Sequence, residues 1–363
     1  MGIDIKNNIF KVSYESKLIS RGNNFPTINM QKGSLDLICV LLHKKTRLND
    51  IQEVLSMSEE TLDTSLEILL NEGLIKKEKG AYLPTFMILS EEEGAWLKKI
   101  SLNIGDEIFK IILYSMERII DETVNIKAFN SFTFDELSLF ILSDVILDFI
   151  QIDNVENLFI KANRPSRNNK NYYFSIMEKA KNSPKEAFGI YGNHFENIGD
   201  LSFGMYGNER YSIPNFITLT DLQGREFFGD KYIGIKNFKS ALLEKIISFN
   251  KGKIMLDKNI QFGLEKLNIM HNGVLKIPIL DQVDYHALYN IADVIKDGLI
   301  DILESNRSYL LNEYCNNHYK EETSFEEFFI WYYHILYSHV TEELIENQIV
   351  KKPKEGIFNY ILE

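Results

Sequence analysis

Apolar positions spaced three and four apart recur along most of this chain and mark out a series of helices. Leu35, Ile38, Cys39 and Leu42 share one helical face, with Ser34 as the expected N-cap and the basic run HKKTR (43–47) at the C-terminal end, where cations suit the helix dipole. A second short helix is predicted from Asn49 or Asp50 through DIQEVL, burying Ile51, Val54 and Leu55. A third starts at Ser58, carries Glu59 and Glu60 in its first turn, and places Leu62, Leu66, Leu69 and Leu70 on one side. Gly73 is its expected left-handed stop. LIKKEKGAYLPT (74–85) then reads as two short strands around a turn at Lys79-Gly80. Upstream, FKVSYESKLISRGNNFPTINM (10–30) reads as two or three strands with Gly22-Asn23-Asn24 as a turn.

Further capping boxes are expected at Ser90–Glu93 and Thr133–Glu136. The first opens a long stripe through Leu97, Ile100, Ile104, Ile108, Ile111, Ser115 and Ile119, with a break expected near Gly105. The second opens a helix to about residue 152 that buries Leu137, Phe140, Ile141, Val145, Leu147 and Phe149. From Val155 the pattern turns to short aromatic strands at 172–180, 186–195 and 201–210. Two of them echo each other, FGIYGN (188–193) and FGMYGN (203–208). They are expected to pair in one antiparallel sheet, each ending in a tight turn at its Gly-Asn. Strands are also expected at 213–221, 231–235 and 273–280, and helices at 236–249, Tyr285–Leu303 and Ser324–Ile345. The fold class is therefore α+β, divided as 1–88, a helical connector 89–152, and a body 153–363 with an antiparallel sheet and C-terminal helices.

The order of short helix, turn, longer helix ending in Gly, then "GLI" and a charged Gly turn resembles the winged helix-turn-helix superfamily over residues 30–87. That resemblance implies a third helix in the major groove and a wing on phosphates or the minor groove. It assigns Lys44, Lys45, Arg47, Lys76, Lys77 and Lys79 to phosphates, and Thr61, Thr64 and Ser65 to bases. It further implies a homodimer, by analogy of fold. The third helix departs from the pattern: it carries Glu59, Glu60, Asp63, Glu67 and Glu72 and no basic residue. Strands leading into such a helical unit also resemble the leader-peptide-recognition domains of peptide-modifying enzymes. The acidic helix suits that role better and the wing hairpin suits it worse.

Charge sharpens this division. The chain has 363 residues and a net charge of −12, yet residues 1–90 balance 11 Lys and Arg against 11 Asp and Glu. The acidity therefore lies in the body, and the front is basic between 6 and 47, which suggests different partners for the two parts. Cys39 and Cys315 are isolated, as in a reducing cytoplasm. Neither a secretory signal nor an acylation signal is read at the N-terminus. The apolar stretch 134–152 carries four carboxylates, so no membrane span is expected.

The echoed strands suggest a ligand site of Tyr191, Asn193, His194, Tyr206, Asn208 and Arg210. Arg164 and Arg167 of the basic loop 161–170 would hold a carboxylate or phosphate. Catalytic signatures are missing: CxxC, HExxH, GxSxG, the Walker loop and GxGxxG do not occur. His334 and His339 lie five apart, off a shared helical face, and His194 with Glu196 and Asp200 reads as a polar loop. Accordingly no catalytic residue, metal ligand or cofactor is predicted. The expectation is a cytoplasmic regulator binding double-stranded DNA as a homodimer, under an unidentified small-molecule or peptide effector. The alternatives are a peptide- or protein-binding module, or an enzyme that uses the winged helix to dimerise.

Overall fold

Strand β1 (Ser13–Ile19) precedes three helices, α1 (Leu35–His43), α2 (Leu48–Leu55) and α3 (Glu59–Glu72), and a hairpin of β2 (Ile75–Glu78) and β3 (Ala81–Pro84). These coordinates are a computed structural model describing residues 9–179, 189–208, 238–266, 269–353 and 356–363. The local chemistry read from the sequence operates at most of these junctions. The Ser58 hydroxyl accepts from the Thr61 amide at 3.2 Å, and Gly73 stops α3 at φ 77°. The hairpin turns on Lys79 and Gly80, both at positive φ. Ser34 is different. It adopts a left-handed conformation and makes no capping hydrogen bond, because a 3₁₀ turn over Lys32–Ser34 leads into α1 instead. The segment 10–30 holds a single strand among the described residues, with Gly22 at φ 60° beyond it.

Strand β4 (Met87–Leu89) leads into α4 (Glu91–Tyr114), opened by the Ser90–Glu93 capping box. This helix runs through Gly105 without a break. The interruption falls at Ser115 (φ −92°, ψ 0°), before α5 (Met116–Val124). The single helix expected over 134–152 is instead α6 (Phe134–Leu139), a π-helical turn Phe140–Val145, and α7 (Gln151–Asn154), followed by another π turn Val155–Ile160. The Thr133–Glu136 capping box at its start is complete. Such wide turns often accompany functional positions.

Strands β5 (Ser166–Arg167), β6 (Lys170–Asn171) and β7 (Tyr173–Lys179) come next, then β8 (Gly192–Ile198) and β9 (Leu201–Gly207). Helices α8 (Phe238–Asn250) and α9 (Lys258–Lys266) follow, with short strands β10 (Met270–His271), β11 (Val274–Leu275) and β12 (Ile279–Leu280). Helix α10 (Gln282–Cys315) is longer than its apolar pattern suggested. It is followed by α11 (Tyr319–Glu322), α12 (Phe325–Glu346) and β13 (Ile357–Leu362). None of the described helices is long and apolar enough to cross a membrane. The strands expected at 213–221 and 231–235, and Arg210, lie outside the described residues.

The chain divides into two units, each assembled from three stretches. Met1–Asp106, Val155–Ile190 and Ile300–His339 form one; Glu107–Asn154, Tyr191–Leu299 and Val340–Glu363 form the other. In the first, β7 lies between β1, antiparallel, and β4, parallel. Its Phe174 and Ile176 pack in one core with Ile38, Leu41 and Leu42 of α1 and with Leu62, Leu66 and Leu69 of α3. In the second, the order is β12-β13-β9-β8, so the C-terminal strand fills the middle of the sheet. The echoed segments do pair antiparallel there, with Gly192 opposite Gly207 and Asn193 opposite Tyr206. The chain reverses at Gly199-Asp200, however, and Gly192-Asn193 opens β8 instead of ending a strand.

Candidate functional site

The residues assigned to DNA lie at the end of α1, along α3 and in the hairpin. Lys44, Lys45 and Arg47 are exposed, as are Lys77 and Lys79, while Lys76 is half-buried. Several already face a carboxylate. Lys45 meets Glu321 at 3.3 Å, Arg47 meets Asp50 at 2.8 Å and Lys76 meets Glu78 at 3.5 Å. Lys77 lies over the Tyr82 ring, 5.0 Å from its centre. Thr61 and Thr64 are exposed on α3. Ser65 is buried and donates its hydroxyl to the Thr61 carbonyl at 2.9 Å, so the base-reading role assigned to it fails: its helix face packs inward. The outer face of α3 forms a shallow open concavity lined by Ser58, Glu59, Glu60, Asp63, Thr64 and Glu67. Glu72 does not belong to that face. It is buried and accepts from the Thr27 amide and hydroxyl at 2.7 and 2.6 Å.

The two arginines of loop 161–170 serve the first unit's interior. Arg164 grips Glu156 through two hydrogen bonds of 2.7 and 2.8 Å. Arg167 is only 4% exposed; it pairs with Glu327 and donates to the Thr85 carbonyl at 2.6 Å and the Tyr172 carbonyl at 3.0 Å. A buried guanidinium has to be paired, and these partners use its donors. The ligand-binding role read for Arg164 and Arg167 therefore gives way to a structural one.

Four residues of the other ligand set do converge, within the second unit. The Asn193 amide donates to both Asp144 oxygens at 2.7 Å and to the Tyr360 hydroxyl at 2.6 Å. Tyr206 and Ser143 share a 2.5 Å hydrogen bond, and Ser143 meets Thr341 at 2.6 Å. Glu342 accepts from Tyr191 at 3.0 Å and from Asn208 at 3.2 Å. The π turn Phe140–Val145 supplies both Ser143 and Asp144 to this network. Burial and the Asp148 charge push the Asp144 carboxyl well above the usual range, against hydrogen bonds from Asn193 and Tyr360. Burial likewise raises the Tyr206 hydroxyl, helped by the charges of Asp148 and Asp144. Tyr191, Tyr206 and Asn208 are fully buried, so their polar ends serve this interior network and not an open surface. His194 lies half-buried on β8, opposite Met205 of β9.

A further constellation went unread in the sequence. His43 closes α1, Glu93 stands in the first turn of α4, and His318 and Glu322 flank and end α11. His43 Nδ1 lies 2.8 Å from Glu322 and its Nε2 lies 3.0 Å from Glu93, while His318 Nε2 lies 3.1 Å from the same Glu93 oxygen. The other Glu93 oxygen is held by the Ser90 amide and hydroxyl at 2.8 and 2.7 Å. Burial alone would lower the His43 pKa, but hydrogen bonds and charge from Glu322 and Glu93 raise it to about 9. Burial would raise the Glu93 carboxyl, but hydrogen bonds to His318 and His43 bring it well below the usual range. No local spacing announces this group, because His43 and His318 are brought together only by folding.

Comparison of the chain with protein families, with curated proteins and with solved structures finds no match.

Proposed function

We propose that this chain is a ligand-responsive transcriptional regulator that binds double-stranded DNA as a homodimer, through a winged-helix arrangement of α1, α2, α3 and the β2–β3 hairpin. The observation that carries the reading is the succession of three helices and a hairpin with exposed bases at two of its corners, Lys44, Lys45 and Arg47 at one and Lys77 and Lys79 at the other. Their ion pairs do not oppose it. Exposed pairs are worth about 0–1 kcal/mol, so a phosphate can replace the carboxylate at little cost. The carboxylates of α3 repel phosphate, which leaves contact to α1's end and the wing, with Thr61 and Thr64 as the available base readers. An effector would shift the balance between binding-competent and incompetent states.

Genomic fragments retained by the full chain at low salt, then sequenced, test the reading. An enriched site is expected, with affinity falling steeply as salt rises and each Lys→Ala change at positions 76, 77 and 79 flattening the salt slope by about 1. No enrichment, with and without cell extract as effector source, would overturn it. The acidic concavity on α3 favours a second reading, a module that docks a basic peptide or protein segment. Retention of basic peptides that is lost in Glu60→Gln/Asp63→Asn/Glu67→Gln, in a chain that ignores DNA, would establish that reading instead.

A further inference from the structure

The His43 constellation offers chemistry that neither reading uses. Two imidazoles and one carboxylate, from the end of α1 and from α11 with the residue before it, come together in the first unit. One ring nitrogen each from His43 and His318 and one oxygen of Glu322 lie within 4.8 Å of one another. Glu93 stands 3.0 Å from His43 Nε2, across the ring from the Nδ1 that faces Glu322, the place from which a carboxylate orients a metal-binding histidine. Ligand atoms around a tetrahedral zinc ion stand about 3.3 Å apart, given metal–ligand bonds of about 2.0–2.1 Å, so modest side-chain movement closes the set. The donor mixture of nitrogen and oxygen suits zinc and its borderline neighbours better than calcium or magnesium, which prefer oxygen alone.

A second observation points to a cation. Glu322 is 3% exposed, yet its Oε1 has no hydrogen-bond partner among the described residues. A buried carboxylate oxygen left in this way is costly, and a metal ion satisfies it directly. The supports of a metal site are also in place. Ser90 fixes Glu93 by two hydrogen bonds, and the Tyr319 ring stacks on His43 with centres 5.9 Å apart. His318 keeps 31% of its side chain exposed, which gives an ion a route in.

We propose that His43, His318 and Glu322 form a three-ligand binding site for a divalent transition metal of the zinc type, with the fourth position left to water. The site does not depend on what the helices and hairpin bind. Metal would replace the ion pair now joining His43 to Glu322, fastening the end of α1 to α11, while Glu93 keeps its hold on the other His43 nitrogen.

The test uses the full chain, stripped by chelator and titrated with Zn²⁺ by calorimetry and with Co²⁺ by visible absorption. One equivalent should bind, and Co²⁺ should show the intense bands of a tetrahedral site without a thiolate charge-transfer band. His318→Ala, at a partly exposed position with little risk to folding, should weaken binding at least about 100-fold, at or beyond the upper end of what disturbing a ligand's support costs. His318→Cys should restore binding and add the thiolate band, placing the metal at that position. Circular dichroism verifies that each variant is folded. Failure to bind either ion, equal binding by His318→Ala and the unaltered chain, a thiolate band in the unaltered chain, or none in His318→Cys would overturn the proposal.

Discussion

Arg167 shows how far a residue's neighbours decide its meaning. In the sequence it stands in a basic loop and invites an anion; in the fold its anion is Glu327, and both side chains are sealed from water. Breaking a buried pair strands a charge and costs about 3–5 kcal/mol. Arg167→Ala is therefore expected to lower the urea midpoint by a corresponding amount, in a chain whose m-value stays unchanged; a loss under 1 kcal/mol would show that water reaches Glu327. Asp144 gives a prediction with a sign. Its folded pKa lies above the unfolded value, so the native state holds a proton that the unfolded chain releases. Its contribution is fully present in acid and is lost as pH rises through the folded pKa. Asp144→Asn removes that loss, so the variant should gain stability over the unaltered chain progressively above about pH 4. Thermal unfolding across pH measures this, and a constant difference at every pH would refute it.

Elements differ in how much of their form is local. The caps at Ser58, Ser90 and Thr133 and the stop at Gly73 were legible because each depends on residues within one turn. Ser34 was misread for the same reason: the 3₁₀ turn before it takes over the helix start. The π turn Phe140–Val145 left no mark in an apolar run, since periodicity does not separate i→i−4 from i→i−5 bonding over so few residues. The sheet of the second unit constrains its own glycines. A Cβ on Gly204 would come within 2.6 Å of Tyr360 Cε2 on the neighbouring strand β13. Gly204→Ala is expected to cost about 1–3 kcal/mol by overpacking, read from the denaturant midpoint. Gly199→Ala, at a turn with open space around it, pays only for its positive φ, and serves as the comparison.

At the scale of the whole molecule, neither unit is a continuous stretch of chain. Strands β1 and β4 share no edge with each other; both depend on β7, more than 80 residues beyond β4. Tyr172, Phe174 and Ile176 also complete the core beneath α1 and α3. A fragment of residues 1–88 would expose that core and two strand edges. It is expected to unfold without cooperativity or to aggregate, while the full chain shows a sigmoidal transition by circular dichroism. A cooperative transition in the fragment would refute this.

Periodicity, caps and turn residues already specified the three helices and the hairpin, the long later helices, and the antiparallel pairing of the echoed strands. Those features arise from contacts within a few residues or from burial of a repeating face. The partnership of β1 with β7, the insertion of β13 into the sheet, and the polar networks around Asp144 and His43 were decided by tertiary structure alone. Their cause is the need to pair each buried charge and backbone edge, and the partners that do so stand tens to hundreds of residues away.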